Sequence, residues 1–231
     1  MNKLLRNIFS EVPETYEFAN HVLTFGLDIL WRKRAVKIAV NSGGDRWIDV
    51  CTGTGEMASY LCRFAKNGTK VYAADFSLPM LSKAKEKPER DCIKFLLSDV
   101  ENLPFPDYTF DLITISFATR NINRNQNTLI RTFKEFHRIL KVNGSFVNLE
   151  TSQPPFSIIR RIFHKYVKLF VTPIGSRISN SKSGYAYLAN TITRFYRAEE
   201  LTNIMHQAGF KDIRIKKLMF GVAAIHQGVK Y

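Results

Sequence analysis

The sequence predicts an α/β fold, a parallel sheet covered on both faces by helices, and three observations predict it. From Arg46 to Glu150, short apolar or β-branched runs alternate with segments of helical period, which is the rhythm of strand–helix–strand units. The first run, in "RWIDVCTGTGE" (residues 46–56), ends abruptly in Thr-Gly-Thr-Gly. A glycine turn between strand and helix lets backbone approach a ligand closely. The chain has 231 residues and a hydrophobic fraction of 45%, enough for one sizeable core.

Taken in order, residues 1–44 read as an amphipathic helical cap that ends in the loop "NSGG". "RWIDVC" is a strand and "EMASYLCRFAKN" a helix; "KVYAAD" is a strand, and "LPMLSKAKEK" a helix stopped by Pro88. "IKFLLSD" and the strongly β-branched "FDLITIS" are strands. "NTLIRTFKEFHRILK" is the clearest helix, with Leu129, Ile130, Phe133, Phe136, Ile139 and Leu140 on one stripe. "NGSFVNLE" is a turn and a strand. The rhythm then breaks: "TSQPPF" is a loop, and residues 157–195 read as helix and loop before helix "AEELTNIMHQAG" and strands "DIRIKKLMF" and "VAAIHQGVKY". An insertion over residues 152–196, above the carboxyl ends of the strands, is placed to be a lid.

No stretch has the eighteen or so uninterrupted apolar residues of a membrane span. The start, "MNKLLRNIFSEVPETYEF", has no apolar signal core, so export is not expected. Cys51, Cys62 and Cys92 form no even-numbered framework and no zinc spacing, which predicts a reduced cytosolic protein with incidental thiols and no metal. The net charge of +14 calls for an acidic partner, either nucleic acid or an anionic membrane face.

Gly53, Gly55 and Ala58 fit G-x-G-x-x-A, and Asp75 ends the second strand about twenty residues on, where a ribose-hydroxyl acceptor belongs. That pattern alone suits NAD. The same geometry suits S-adenosylmethionine, with the turn facing the amino-acid portion of the cofactor. Asp49, inside the first strand, is costly to bury without a polar partner; it would organise the turn or meet the methionine ammonium. Asp99 follows the third strand and is placed to accept from an adenine amine, with the Val100 backbone beside it. An acidic group there has no role in the NAD pattern, so the methyl donor is the better reading.

These residues resemble the ubiquinone/menaquinone biosynthesis C-methyltransferases, of the demethylmenaquinone methyltransferase type, over nearly the whole chain. The likeness runs from "YEFANHVLTFGLDILWRKRAV" through "IDVCTGTGE", "AADFSLPML", "DVENLPFPDYTFDLITISFATRNI" and "FHRILKVNG" to "GVAAIHQGVKY". Thr52, Glu56 and Asn143 depart from the common pattern of glycine, aspartate and proline, and Asp99 stands where some relatives have asparagine. The resemblance implies a Rossmann-like class I S-adenosylmethionine-dependent methyltransferase in a single domain. Its seven-stranded, mostly parallel sheet would run in the order 3-2-1-4-5-7-6, with N-terminal helices and a helical insertion after strand 5. It implies methyl transfer to a ring carbon of a prenylated quinol, benzoquinol or naphthoquinol. Cofactor contacts would be Asp49, Gly53, Thr54, Gly55, Asp75, Phe76, Asp99, Val100 and Ser116.

A quinol carbon becomes nucleophilic when the neighbouring hydroxyl loses its proton, so the site needs a base or a cation that stabilises phenolate. Arg120, just after the fourth strand, is the candidate cation, unless it is a loop arginine paired to Asp107 or Glu150. His226 on the last strand is the candidate base, with His21 a second. Asn121, Tyr185 and Tyr187 are candidate substrate contacts. In "SIIRRIFHKYVKLFV" (157–171), Arg160, His164 and Lys168 stack with Arg161 and Lys165 alongside, and Ile159, Ile162, Phe163, Tyr166 and Phe170 lie opposite. Such a basic amphipathic helix fits peripheral binding to the anionic inner face of the cell membrane, with "WRKRAVK" (31–37) as a second contact. A homodimer is compatible with the sequence, which sets no oligomeric state. The rival reading is RNA methylation with the same cofactor. It is weakened because "SQPPF" follows the fifth strand, not the fourth as in amino-methyltransferases; no nucleic-acid partner is expected.

Overall fold

The computed structural model describes residues 13–179 and 181–231. Its elements are α1 (Pro13–Leu23), α2 (Leu27–Val40), β1 (Arg46–Val50), α3 (Glu56–Phe64), β2 (Lys70–Asp75), α4 (Leu78–Ala84), β3 (Ile93–Leu97), β4 (Phe110–Ser116), α5 (Thr119–Ile122), α6 (Gln126–Ile139) and β5 (Leu140–Thr151). Then come α7 (Ser157–Tyr166), α8 (Thr172–Ser179), α9 (Lys182–Arg194), α10 (Ala198–Gln207), β6 (Lys211–Leu218) and β7 (Ala223–Val229). One seven-stranded sheet runs in the order β3-β2-β1-β4-β5-β7-β6, as expected. β1 to β5 are parallel, and β7 lies antiparallel between β5 and β6.

The central strands are apolar on both sides because both faces are covered. On one face, Ile48, Val50 and Ile113 pack with Phe133, Phe136 and Phe146 under α6 and α10. On the other, Trp47, Val71 and Leu112 pack with Trp31, Ala35 and Leu61 under α2 and α3. The stripe read on α6 is buried at Leu129, Phe133, Phe136 and Ile139. Leu140 instead opens β5: the helix stops at Ile139, two residues sooner than expected, and the strand runs through the expected Asn-Gly turn, with Asn143 at φ 63°. α4 ends at Ala84, ahead of Pro88.

The insertion is helical almost throughout. α7 passes through a π-turn (Val167–Val171) into α8, and α9 returns. Val167, Val171, Tyr185 and Ile192 from this lid meet Ala19 and Leu23 of α1 in a third, smaller core. Tyr185, expected as a substrate contact, is therefore placed in the lid packing. Its ring lies so close to Gly175 that a Cβ there would fall 2.0 Å from a ring carbon.

α7 does not divide as its sequence suggests. Phe163 and Tyr166 turn inward, but Ile158, Ile162, Leu169 and Phe170 are exposed. His164 leaves the basic face to reach Gln153 Oε1 at 2.6 Å, and Arg160 donates to the Pro154 carbonyl at 3.3 Å. Arg161, Lys165 and Lys168 remain exposed. In the second basic stretch, Trp31 and Arg32 are buried, leaving Lys33, Arg34 and Lys37 outside.

The thiols are not all incidental. Cys62, in the last turn of α3, is bonded to Cys92, just before β3, across a separation of 30 residues, and Cys51 is free. The spacing shows no pattern because only the packing of α3 beside β3 joins the two. Closing a loop of this length stabilises by about 3–4 kcal/mol in the chain-entropy description. The unreduced, denatured chain should titrate one thiol, and reduction should lower the melting temperature by roughly 10 °C.

Candidate active site

β1, β2 and β4 end side by side, with Val50 opposite Ala74 and Asp49 opposite Thr114. The turn after β1 is held by two buried carboxylates. Asp49 accepts the Thr52 hydroxyl at 2.6 Å and the Thr114 hydroxyl at 2.7 Å. Burial pushes its pKa up to about 7, against the pull of those hydroxyls. Asp75 accepts the backbone N–H of Gly53 and of Ser77, both at 2.9 Å. Burial raises it to about 6, against the backbone donors. Gly55 caps α3 at φ 81°, where a Cβ would fall 2.9 Å from the Ala84 Cβ; a side chain would push α4 off the turn.

Above this turn lies a polar cavity. Gly53, Thr54, Asp75, Phe76 and Ser116 line it, as the sequence predicts for the cofactor. Asn121 lines it too, so it faces the cofactor cavity and not a separate substrate surface; its buried Oδ1 has no hydrogen-bond partner among the described residues. Asp49 does not line the cavity; one of its oxygens is taken by Thr52 of the turn and the other by Thr114 of β4. Asp99 and Val100 lie beyond the cavity wall: Asp99 accepts the Glu101 N–H at 3.1 Å, and Val100 is in the core. The Ser98 N–H donates to the Asp75 carbonyl, which keeps that strand end beside Asp75.

A second cavity of about 350 Å³ sits between cap and lid, lined chiefly by apolar side chains such as Leu23, Trp31, Phe163, Val167, Leu188 and Ile192. Phe117 and Arg32 belong to both cavities. Phe117 holds φ 55°, a left-handed backbone costly for a bulky residue by about 1–3 kcal/mol. Its N–H bond to the Leu149 carbonyl (2.8 Å) and the guanidinium of Arg32 5.0 Å above its ring keep it there.

Arg120 is buried in the wall of the apolar cavity. Glu150 accepts from its guanidinium at 2.5 Å and from its backbone N–H at 3.1 Å, while its Nε has no hydrogen-bond partner among the described residues. Of the two carboxylates considered for it, Glu150 is its partner; Asp107 pairs with Arg138. Tyr187 is half-buried within reach of the charge on Arg120 but lines neither cavity. His226 is fully buried under α10, with Nε2 on the Ala198 carbonyl at 2.9 Å and its pKa lowered by burial. It lines neither cavity, so a lone strand histidine is here a packed one. His21 is bonded to Asp28 at 2.8 Å.

Among the lining residues that the sequence reading did not assign to the site are Tyr16, Arg32, Glu56 and Phe117. Tyr16 and Arg32 come from the cap, and no local pattern says that the cap folds over the turn. Burial raises the Tyr16 pKa, opposed by the positive charges of Arg120 and Arg32.

For Asp49, a folded pKa raised from 3.8 to about 7 means that the stability of its protonated form is full below pH 4 and lost as pH rises through 7. Asp49→Asn, which mimics the protonated form, should gain on the parent protein as pH rises from 4 to 8, read as a widening difference in melting temperature.

A model of the ubiE/COQ5 methyltransferase family matches residues 1–230. A demethylmenaquinone methyltransferase of Thermus thermophilus is 38% identical over 223 residues, covering 96% of this chain and 99% of that protein. The ubiquinone/menaquinone biosynthesis C-methyltransferase UbiE of Geobacter sulfurreducens is 35% identical, over 98% of this chain and 88% of its own. A solved S-adenosylmethionine-dependent methyltransferase of Thermotoga maritima has the same fold, with a TM-score of 0.69 at 20% identity over 98% of this chain and 99% of that one. A Haemonchus contortus phosphoethanolamine N-methyltransferase solved with S-adenosylmethionine gives 0.61 at 15% identity, over 85% and 52%. The donor set here fits that cofactor: a glycine turn with backbone in the cavity wall, and a buried carboxylate, Asp75, at the end of β2. A seven-stranded sheet of this order, a cofactor cavity on the first turn and a family match spanning the chain agree: the protein belongs to the ubiE/COQ5 methyltransferase family and is an S-adenosylmethionine-dependent methyltransferase.

Proposed function

We propose that the protein methylates a ring carbon of a prenylated quinol. The observation that carries this is the 350 Å³ apolar cavity, which shares a wall with the cofactor cavity and has two buried arginines, Arg32 and Arg120, in its lining. An isoprenoid tail suits its aliphatic and aromatic lining, and the quinol ring would lie at the Phe117 wall. The demethylmenaquinone methyltransferase relatives favour a naphthoquinol, demethylmenaquinol to menaquinol, with a benzoquinol as the second ring. A narrow greasy cavity is a poor seat for RNA, and the relatives do not favour that rival.

The bound cofactor supplies a sulfonium methyl for in-line displacement. The protein holds ring carbon and methyl collinear and close, which provides much of the rate. Arg120 acts by stabilising phenolate with its Nε–H, which has no hydrogen-bond partner among the described residues, while Glu150 positions it.

The cavity mouth bears Phe25, Ile162, Met219 and Phe220, which are 80%, 63%, 53% and 70% exposed. Arg161, Lys165 and Lys168, on the same lid segment as Ile162, are exposed. No helix among the described residues is long and apolar enough to cross a membrane. An exposed apolar rim flanked by cations supports peripheral docking on an anionic bilayer, through which the lipid substrate enters directly.

Methyl-labelled S-adenosylmethionine, offered with demethylmenaquinol, a benzoquinol precursor and total RNA, should deliver label to the solvent extract. Label confined to RNA would overturn the quinol reading. Arg120→Met should lower kcat about a hundredfold, with Arg120→Lys intermediate. Affinity for S-adenosylhomocysteine should fall below about pH 6 as Asp75 protonates, and Asp75→Asn should lose both affinity and the pH step. Binding to anionic vesicles should exceed binding to neutral ones and weaken with salt; equal partition would sink the docking reading.

A further inference from the structure

Arg32 stands where the two cavities meet, 4% exposed. Its guanidinium donates to Asp28 Oδ2 at 2.7 Å and pairs with Glu56 Oε2 at 3.2 Å. The remaining Nε–H has no hydrogen-bond partner among the described residues. A buried guanidinium N–H with no acceptor is costly. Its presence in a ligand cavity points to an acceptor on the ligand.

Glu56 opens α3 directly after the glycine turn and lines the same cavity. Besides Asp75, it is the carboxylate in that wall. Asp49, the other acid near the turn, is consumed by Thr52 and Thr114. The cavity wall therefore holds the Asp75 carboxylate and, in addition, an adjacent cation and anion supplied by the cap and by the residue after the turn. An ion pair of that kind is complementary to an amino-acid zwitterion.

We propose that Arg32 and Glu56 bind the methionyl end of S-adenosylmethionine, Arg32 taking the carboxylate and Glu56 the ammonium. This rests on S-adenosylmethionine as the cofactor. Charge-assisted hydrogen bonds of this kind are the strong ones, and Arg32, on the cap helix α2, would make cap closure part of cofactor recognition.

Isothermal titration with three ligands tests it: S-adenosylhomocysteine, its decarboxylated analogue, and methylthioadenosine, which carries no amino acid. The parent protein should bind S-adenosylhomocysteine at least about tenfold more tightly than the decarboxylated analogue. Arg32→Met should lower S-adenosylhomocysteine affinity about tenfold to a hundredfold and leave the other two ligands within about threefold. Glu56→Gln should weaken S-adenosylhomocysteine and the decarboxylated analogue together and spare methylthioadenosine. Equal affinity of the parent protein for the first two ligands overturns the Arg32 assignment with no variant needed. Equal loss of all three ligands in Arg32→Met overturns it as well, because that is a collapse of the turn. If Arg32→Met does not fold, Arg32→Lys serves, with a smaller loss confined to S-adenosylhomocysteine. No binding of any ligand to the parent protein would overturn the cofactor reading itself, a result distinct from all the others.

Discussion

The site depends on the burial of Asp49 and Asp75 beneath the turn after β1. Neither can be buried without donors. Asp49 takes two hydroxyls, one from the turn and one from the neighbouring strand; Asp75 takes two backbone N–H groups, one from the turn and one from the start of α4. Each carboxylate thus ties the turn to a different strand. Residues 51–55 are held with Cys51, Gly53 and Gly55 in left-handed conformations, which leaves the turn backbone exposed to the cavity.

Everything above that turn is arranged by a second constraint, the small core between α1 and the lid. Because Leu23 meets Val167 and Val171, cap and lid enclose a cavity beside the cofactor position instead of packing flat on the sheet. Phe117 is the partition between the two spaces. Its strained backbone places one ring in both walls, and Arg32 above it links the cap to the same boundary. A methyl donor and an apolar acceptor can then meet at the edge of one side chain that borders both spaces.

The buried charges divide by function. Asp28, Arg32 and Glu56 form one chain of ion pairs from cap to turn. Arg120 and Glu150 form another, from the loop after β4 to the end of β5. In each chain the arginine retains an Nε–H without a hydrogen-bond partner among the described residues, one in the wall of both cavities and one in the wall of the apolar cavity. Desolvated arginines so placed are expensive for stability alone and useful only where a ligand completes their shell.

The sequence alone determined most of the strand and helix elements and part of the lining of the cavity above the first turn. Strand and glycine signals are local: β1 to β5 follow from apolar runs, and Gly53, Thr54, Asp75, Phe76 and Ser116 follow from their positions at strand ends, which a parallel sheet brings to one edge. Tertiary structure decided what depends on contacts between distant segments. It sent Asp49 to the turn and Asn121 to the cofactor cavity, packed Tyr185 and His226 away from the chemistry, and joined Cys62 to Cys92. It turned Phe163 and Tyr166 of α7 inward and left Ile158 and Ile162 outside. Helical periodicity tells which residues share a face, not which partner that face meets; only the folded cap, lid and sheet supply that partner.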